Sequence, residues 1–161
     1  MERYHVRVCD DSLVFSAAHF ITFGGNECEG LHGHNFQVAA EVHGSLDENH
    51  YVVDFIALRK TLRALLAQLD HRVLLPTCHL AVRVEATDRE VEVRHADRRW
   101  VFPRADCALL PVANVTAELL AGHLARGLLA DLQQQGVSPQ VVRVEVEESA
   151  GQAAVCELRG P

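Results

Sequence analysis

At 161 residues, with 48% hydrophobic and 23% charged side chains, the chain has the size and composition of one globular domain with a buried core, which excludes a disordered segment or a multidomain assembly. Its formal net charge of -7 argues against a general binder of nucleic acid or anionic membrane, because those partners demand a basic surface. No run approaches the roughly 20 apolar residues of a membrane span, and Met1 to His5 lacks the hydrophobic stretch of a signal peptide, so a cytoplasmic location is expected.

Alternation with a period of two runs from Tyr4 to Phe20 and again from His32 to Gly44, in segments rich in Val and Phe, which predicts two strands. From Asp54 the pattern changes to Leu58, Leu62, Leu65, Leu66 and Leu69, a helical stripe with Asp54 as its N-cap. Leu80 to Pro111 reads as a β-meander with turns at Asp88-Arg89 and Asp97-Arg98. A second helix follows Asn114 as cap, carries Leu119, Leu120, Leu124, Leu128 and Leu132, and stops at Gly136. Gln140 to Ser149 and Ala153 to Leu158 close the chain as strands. With no repeat or linker, residues 1 to 161 are expected to form a single α+β domain with helices on one face of an antiparallel sheet.

Three histidines carry the sharpest chemical signal. His32 and His34 share a strand face with Phe36, Val38, Ala40 and Val42, and His19 continues the face of Leu13, Phe15 and Ala17. Imidazoles placed where the core register ends need partners, either water and carbonyls as in a chance HxH pair or a shared ligand, for which a tetrahedral zinc with three nitrogen donors and one open position is suited. Cys28, four residues before His32, stands where a metal would lower its pKa. Asp70-His71 ends the first helix, where the helix terminus and the carboxylate both favour an imidazolium suited to proton transfer. Glu148 falls in the apolar register of Val142, Val144 and Val146, where its carboxylate either marks the exposed end of the strand or needs a partner that donates two hydrogen bonds. The five cysteines, Cys9, Cys28, Cys78, Cys107 and Cys156, form no CxxC pair and suggest neither a disulfide framework nor a thiolate zinc knuckle. His5, His43, His50, His79, His95 and His123 fall in no such pattern and are assigned to surface or packing roles.

Six segments, Phe15-Ser16-Ala17-Ala18-His19, Cys28-Glu29-Gly30-Leu31-His32-Gly33-His34, Val53-Asp54-Phe55, Leu69-Asp70-His71, Asn114-Val115-Thr116-Ala117-Glu118 and Val146-Glu147-Glu148-Ser149, resemble in order the motifs of the 6-pyruvoyl-tetrahydropterin synthase and 6-carboxy-tetrahydropterin synthase family. The resemblance implies a tunnelling fold, a four-stranded antiparallel sheet with two helices on one face, assembled as trimers stacked into a homohexamer with sites between subunits. It further implies zinc (Zn2+) held by His19, His32 and His34, Cys28 as the base, Asp70 and His71 as a proton relay, Glu148 as the pterin anchor and Thr116 as a pterin contact. The activity implied is that of a zinc-dependent lyase. It would convert 7,8-dihydroneopterin triphosphate to 6-carboxy-5,6,7,8-tetrahydropterin, for queuosine-type synthesis, or to 6-pyruvoyl-tetrahydropterin.

Two features depart from the family pattern. The meander at about 80–111 is longer than the usual connection and reads as an insertion that covers the site mouth, extends an oligomer contact or plays no chemical part. Glu29 directly follows Cys28, and one branch of the family uses a glutamate near this position to cut the side chain to 6-hydroxymethyl-7,8-dihydropterin for folate. That activity is the alternative, as is a non-catalytic metal-binding member of the fold, for which Cys28, His71 and Glu148 would have no purpose.

Overall fold

The computed structural model describes residues 2–25 and 27–160. In chain order the elements are β1 (Tyr4–His19), β2 (Thr22–Phe23), β3 (Glu27–Cys28), β4 (His32–Gly44), α1 (Phe55–Leu66), β5 (Arg72–Pro76), β6 (Arg83–Ala86), β7 (Glu90–His95), β8 (Arg98–Pro103), β9 (Cys107–Leu110), α2 (Ala117–Gln134), β10 (Val141–Ser149) and β11 (Gln152–Arg159). The main sheet runs β11-β10-β4-β1-β5-β9. Its first four strands are antiparallel, as the alternating segments predict. Beyond them, β5 and β9 extend the sheet in parallel. Neither was expected as part of it: Val73 to Leu75 and Cys107 to Leu110 are short apolar runs without alternation, typical of strands buried between layers. The meander therefore consists of β6, β7 and β8, which pair as a separate antiparallel sheet.

Two helices pack with this sheet around the main core. Asp54 caps α1 by accepting from the Ala57 amide at 2.8 Å, as its sequence position suggests. The cap of α2 is Thr116, not Asn114: Thr116 has the extended backbone of a cap and its hydroxyl accepts from the Leu119 amide. Asn114, two residues upstream, instead donates to the Thr22 carbonyl at 2.9 Å and accepts from the Thr22 amide at 3.2 Å, tying β2 to the start of α2. Leu58, Leu62, Leu120, Leu124, Leu128 and Leu132 pack against Phe15, Phe36, Val142, Val144 and Val146. Each such side chain contributes about 1.5–3 kcal/mol by leaving water. Close approach of the helices depends on Gly127, where a Cβ would lie 3.0 Å from Leu65 Cδ2.

The β1 strand is broken by a bulge. From Cys9 to Val14 it advances five residues while β4 advances two, from Ala39 to Gln37. Val8 faces the core before the bulge, and Leu13, Phe15, Ala17 and His19 face it afterwards. The bulge is docked by Asp10, which meets Arg59 at 3.0 Å, and by Gln37, which donates to the Asp10 carbonyl at 2.7 Å.

Where the meander leaves the main sheet, His79 acts as a fixed joint. Its Nδ1 accepts from the amides of Ala81 and Val82, both at 2.9 Å, so its Nε2 carries the hydrogen and donates to Thr22 Oγ1 at 2.7 Å. Burial pushes the His79 pKa below its ordinary value and His95 adds to the shift. A depressed histidine pKa means that the unfolded chain binds the proton first as pH falls, so stability contributed at neutral pH is lost below about pH 6.5. Between about pH 7.5 and pH 5.5 the thermal midpoint of the protein is expected to fall, and that of His79→Asn, whose Oδ1 keeps the acceptor but does not titrate, to fall less. Equal losses measured by calorimetry would place the pH dependence on other groups.

Candidate metal centre

The register of β1 and β4 sets His19 opposite His32 and Ala17 opposite His34, so all three imidazoles emerge on the helix-facing side of the sheet. Their ring centroids lie 4.8 Å (His19 to His32), 5.3 Å (His19 to His34) and 4.8 Å (His32 to His34) apart. The β10 strand pairs with β4 as far as Glu147 and Gln37, and the next side chain on the helix-facing side is that of Glu148. Its Oε1 reaches 3.1 Å from Nε2 of both His19 and His34. One potential ligand atom from each of these four residues lies within 4.8 Å of all the others.

The hydrogen bonds at the backs of the rings determine what the fronts offer. His19 Nδ1 lies 2.8 Å from the Val115 carbonyl and His32 Nδ1 2.8 Å from the Gly30 carbonyl. A carbonyl only accepts, so each Nδ1 carries the hydrogen and each neutral ring presents a lone pair at Nε2. His19 is fully buried, and burial depresses its pKa despite the opposing effects of the Val115 bond and Glu148. The Nε2 atoms of His19 and His34 are buried without a hydrogen-bond partner among the described residues, and each approaches the Glu148 oxygen without the geometry of a hydrogen bond. The His19 lone pair and a carboxylate oxygen at 3.1 Å repel each other unless a cation lies among them. Neutral imidazoles oriented by backbone carbonyls, with a carboxylate beside them, are a donor set that fits a divalent metal such as zinc.

Glu29 borders this cluster from the loop between β3 and β4, whereas Cys28, the last residue of β3, packs against an apolar group of Phe20, Leu75, Val82, Val91 and Val93. The Glu29 amide donates to the Ile21 carbonyl at 3.1 Å, and Glu29 Oε2 lies 3.9 Å from His32 Nδ1. Burial pushes the Cys28 thiol up, Arg98 offsets part of the shift, and Glu29 adds to it. The surrounding protein alone therefore keeps Cys28 protonated near neutral pH.

Asp70 and His71 stand apart from the four-residue cluster. Asp70 accepts from the Ser16 amide at 2.8 Å and pairs with His71 Nδ1 at 2.9 Å, while the His71 amide donates to the Ser16 carbonyl at 2.6 Å. The Ser16 bond holds the Asp70 carboxyl below the ordinary range, assisted by His71. His71 adopts a φ of 55°, an unusual conformation for a residue with a side chain, which these bonds to β1 sustain. An open cleft of about 540 Å³ is lined by His71, His34, Ser16, Asn35, Arg72 and Asp106, so His71 shares a cavity with one member of the cluster. Thr116 is occupied as the α2 cap and stands next to Val115, whose carbonyl orients His19. The orienting groups that sequence reasoning missed, the carbonyls of Val115 and Gly30, are backbone atoms with no signature in residue identity. Asn114, read as a cap, had a signal but a different use.

The sequence model of the family described as 6-pyruvoyl tetrahydropterin synthase matches residues 10–159. A Methanocaldococcus jannaschii protein with the provisional name 6-carboxy-5,6,7,8-tetrahydropterin synthase is 32% identical over 144 residues, 88% of each chain. Over 60 residues, 37% of this chain and 50% of the other, the chain is 40% identical to a dihydroneopterin monophosphate aldolase of Pyrococcus furiosus. The crystal structure of 6-pyruvoyl tetrahydropterin synthase from Plasmodium vivax superimposes with a TM-score of 0.90 at 26% identity, covering 99% of both chains. A second structure of that enzyme, TM-score 0.89, carries alanine in place of a glutamate described as a catalytic residue.

Proposed function

Because the chain belongs to the 6-pyruvoyl tetrahydropterin synthase family, we propose that it is a zinc-dependent lyase acting on 7,8-dihydroneopterin triphosphate to give 6-carboxy-5,6,7,8-tetrahydropterin. The observation that carries this reading is the convergence of His19, His32, His34 and Glu148, with two Nδ1 atoms already committed to backbone carbonyls. The name of the Methanocaldococcus relative favours the 6-carboxy product.

In this reading His19, His32 and His34 hold the ion. When bound, zinc supplies Lewis-acid polarisation of the substrate's side-chain oxygens, which acidifies the neighbouring C–H bonds, and a positive charge that favours the Cys28 thiolate. Cys28 takes the proton from carbon. Glu148 accepts from the N–H edge of the aminopyrimidinone, turning its carboxylate toward two donors. Asp70 stays ionised and holds the Nδ1–H of His71, leaving Nε2 of that exposed ring to exchange protons across the cleft it shares with His34. Net conversion consumes water and releases triphosphate and acetaldehyde. The main sheet ends in β11 and β9, whose unpaired edges favour closure with further subunits as a homohexamer in the cytoplasm.

A second reading, cleavage to 6-hydroxymethyl-7,8-dihydropterin, is favoured by two observations: Glu29 lies 3.9 Å from His32, and a glutamate is described as a catalytic residue in the Plasmodium relative. Mass spectrometry of the products from dihydroneopterin triphosphate, with zinc-loaded and chelator-stripped protein, distinguishes the two. Zinc-dependent acetaldehyde and a 6-carboxy product are expected. Zinc-dependent hydroxymethyl product would select the second reading, and an unchanged substrate would overturn both.

A further inference from the structure

We propose that Arg98, the first residue of β8, is a positioning residue for the end of β3 and the loop after it, which carry Cys28 and Glu29; the catalytic part of this role rests on the reading above, in which one of those side chains takes the proton. Arg98 Nη1 donates to two successive carbonyls, Cys28 at 2.7 Å and Glu29 at 2.8 Å. One terminal nitrogen carries two hydrogens, so a single group ties both residues at once. The guanidinium is itself held: its carbon lies 4.7 Å from the centre of the Trp100 ring on the same strand face. Trp100 stacks on Phe20 at 5.1 Å with the planes 10° apart, and Phe20 follows His19 directly. Beneath this stack Leu75, Val82, Val91 and Val93 are buried with Phe20 in a second core, which anchors the meander to the main sheet.

The meander is thereby connected to the cluster at two points, through Trp100 and Phe20 to His19 and through Arg98 to the base-bearing segment. Its inner face sets the separation between the candidate base and the histidines. Displacing a reacting group by about 1 Å can cost on the order of 100-fold in rate, so a bond pair that fixes the loop backbone bears directly on turnover. Lysine can reach the same carbonyls but lacks the planar group that lies over Trp100, and so replaces only part of the clamp.

The test compares Arg98→Ala and Arg98→Lys with Arg99→Ala, a control on the same strand whose side chain faces away and binds Glu92. Three readouts are combined: kcat and KM with dihydroneopterin triphosphate, zinc content, and hydrogen exchange at the Glu29 amide, which donates to Ile21, against the Thr87 amide, which donates to Glu90 at the far turn of the meander. Arg98→Ala is expected to lower kcat by about tenfold or more, to leave KM and zinc content within about twofold, and to accelerate exchange at Glu29 but not at Thr87. Arg98→Lys recovers part of both losses and Arg99→Ala behaves as the parent. Unchanged exchange at Glu29 in Arg98→Ala, or faster exchange with unchanged kcat, overturns the proposal. If Thr87 also loses protection, Arg98→Lys decides: protection regained at both amides supports the clamp, and protection regained at Thr87 alone overturns it. A parent protein that leaves the substrate untouched overturns the functional reading, while exchange at Glu29 still decides the clamp.

Discussion

His32→Ala is expected to lower zinc affinity by more than the roughly 10- to 100-fold that loss of an outer-shell partner costs, and to reduce turnover below detection. His32 is the choice because its side chain is partly exposed, whereas His19 is fully buried beside Phe36, where alanine would also open a cavity. Metal analysis of the purified variant measures the loss, and thermal unfolding gives an independent check. A ligand present at 100 times its Kd stabilises the folded state by about 2.7 kcal/mol, so added zinc should raise the midpoint of the parent and not of the variant. Glu148→Gln separates two uses of one carboxylate. If Glu148 anchors the pterin, zinc content is kept and KM rises about tenfold or more, because the amide offers a donor where an acceptor is needed. Loss of zinc in this variant would make Glu148 a fourth ligand. Full zinc in His32→Ala would remove that residue from the ligand set.

Removing the proposed base is expected to produce the other large effect. Cys28→Ala is expected to abolish the 6-carboxy product, with kcat reduced about 100-fold or more, the scale of general-base catalysis. Glu29→Ala should retain that product, because the Glu29 side chain lies nearer the back of the His32 ring than its metal-facing nitrogen, 3.9 Å from Nδ1. The opposite pattern, with Cys28→Ala active and Glu29→Ala inactive, would assign the base to Glu29 and the product to the hydroxymethyl branch. Measuring both products in both variants distinguishes a single base from a divided one.

The convergence of the histidines was legible because strand periodicity and the spacing of His32 and His34 place them on the same face, and antiparallel pairing of the two long strands then brings His19 opposite. The Asp54 cap was legible for the same local reason. What escaped was non-local or carried by backbone. Cys107 to Leu110 falls inside the segment read as a meander but joins β5 instead, because a parallel partner leaves no alternation to detect. Asn114 and Thr116 are both good caps, and only backbone geometry shows that Thr116 caps the helix while Asn114 ties down Thr22. Arg98 looked like a turn residue, and its bonds to a loop 69 and 70 positions earlier have no local sign.

The bulge in β1 gives the candidate metal centre a dependence on parity. Residues alternate between two faces along a strand, so the three residues by which β1 outruns β4 between Cys9 and Val14 exchange the faces of everything beyond them. That exchange lets Val8, an even-numbered residue, and His19, an odd-numbered one, both point to the core. Insertions or deletions of two residues between Cys9 and Leu13 leave both halves of the strand facing as they do now. A change of one residue there forces a choice, either turning the N-terminal half inside out or sending His19 to the opposite side of the sheet from His32 and His34. The loop-like segment of an otherwise regular strand is thus free to vary in length by pairs and not by single steps, even though none of its side chains belongs to the cluster.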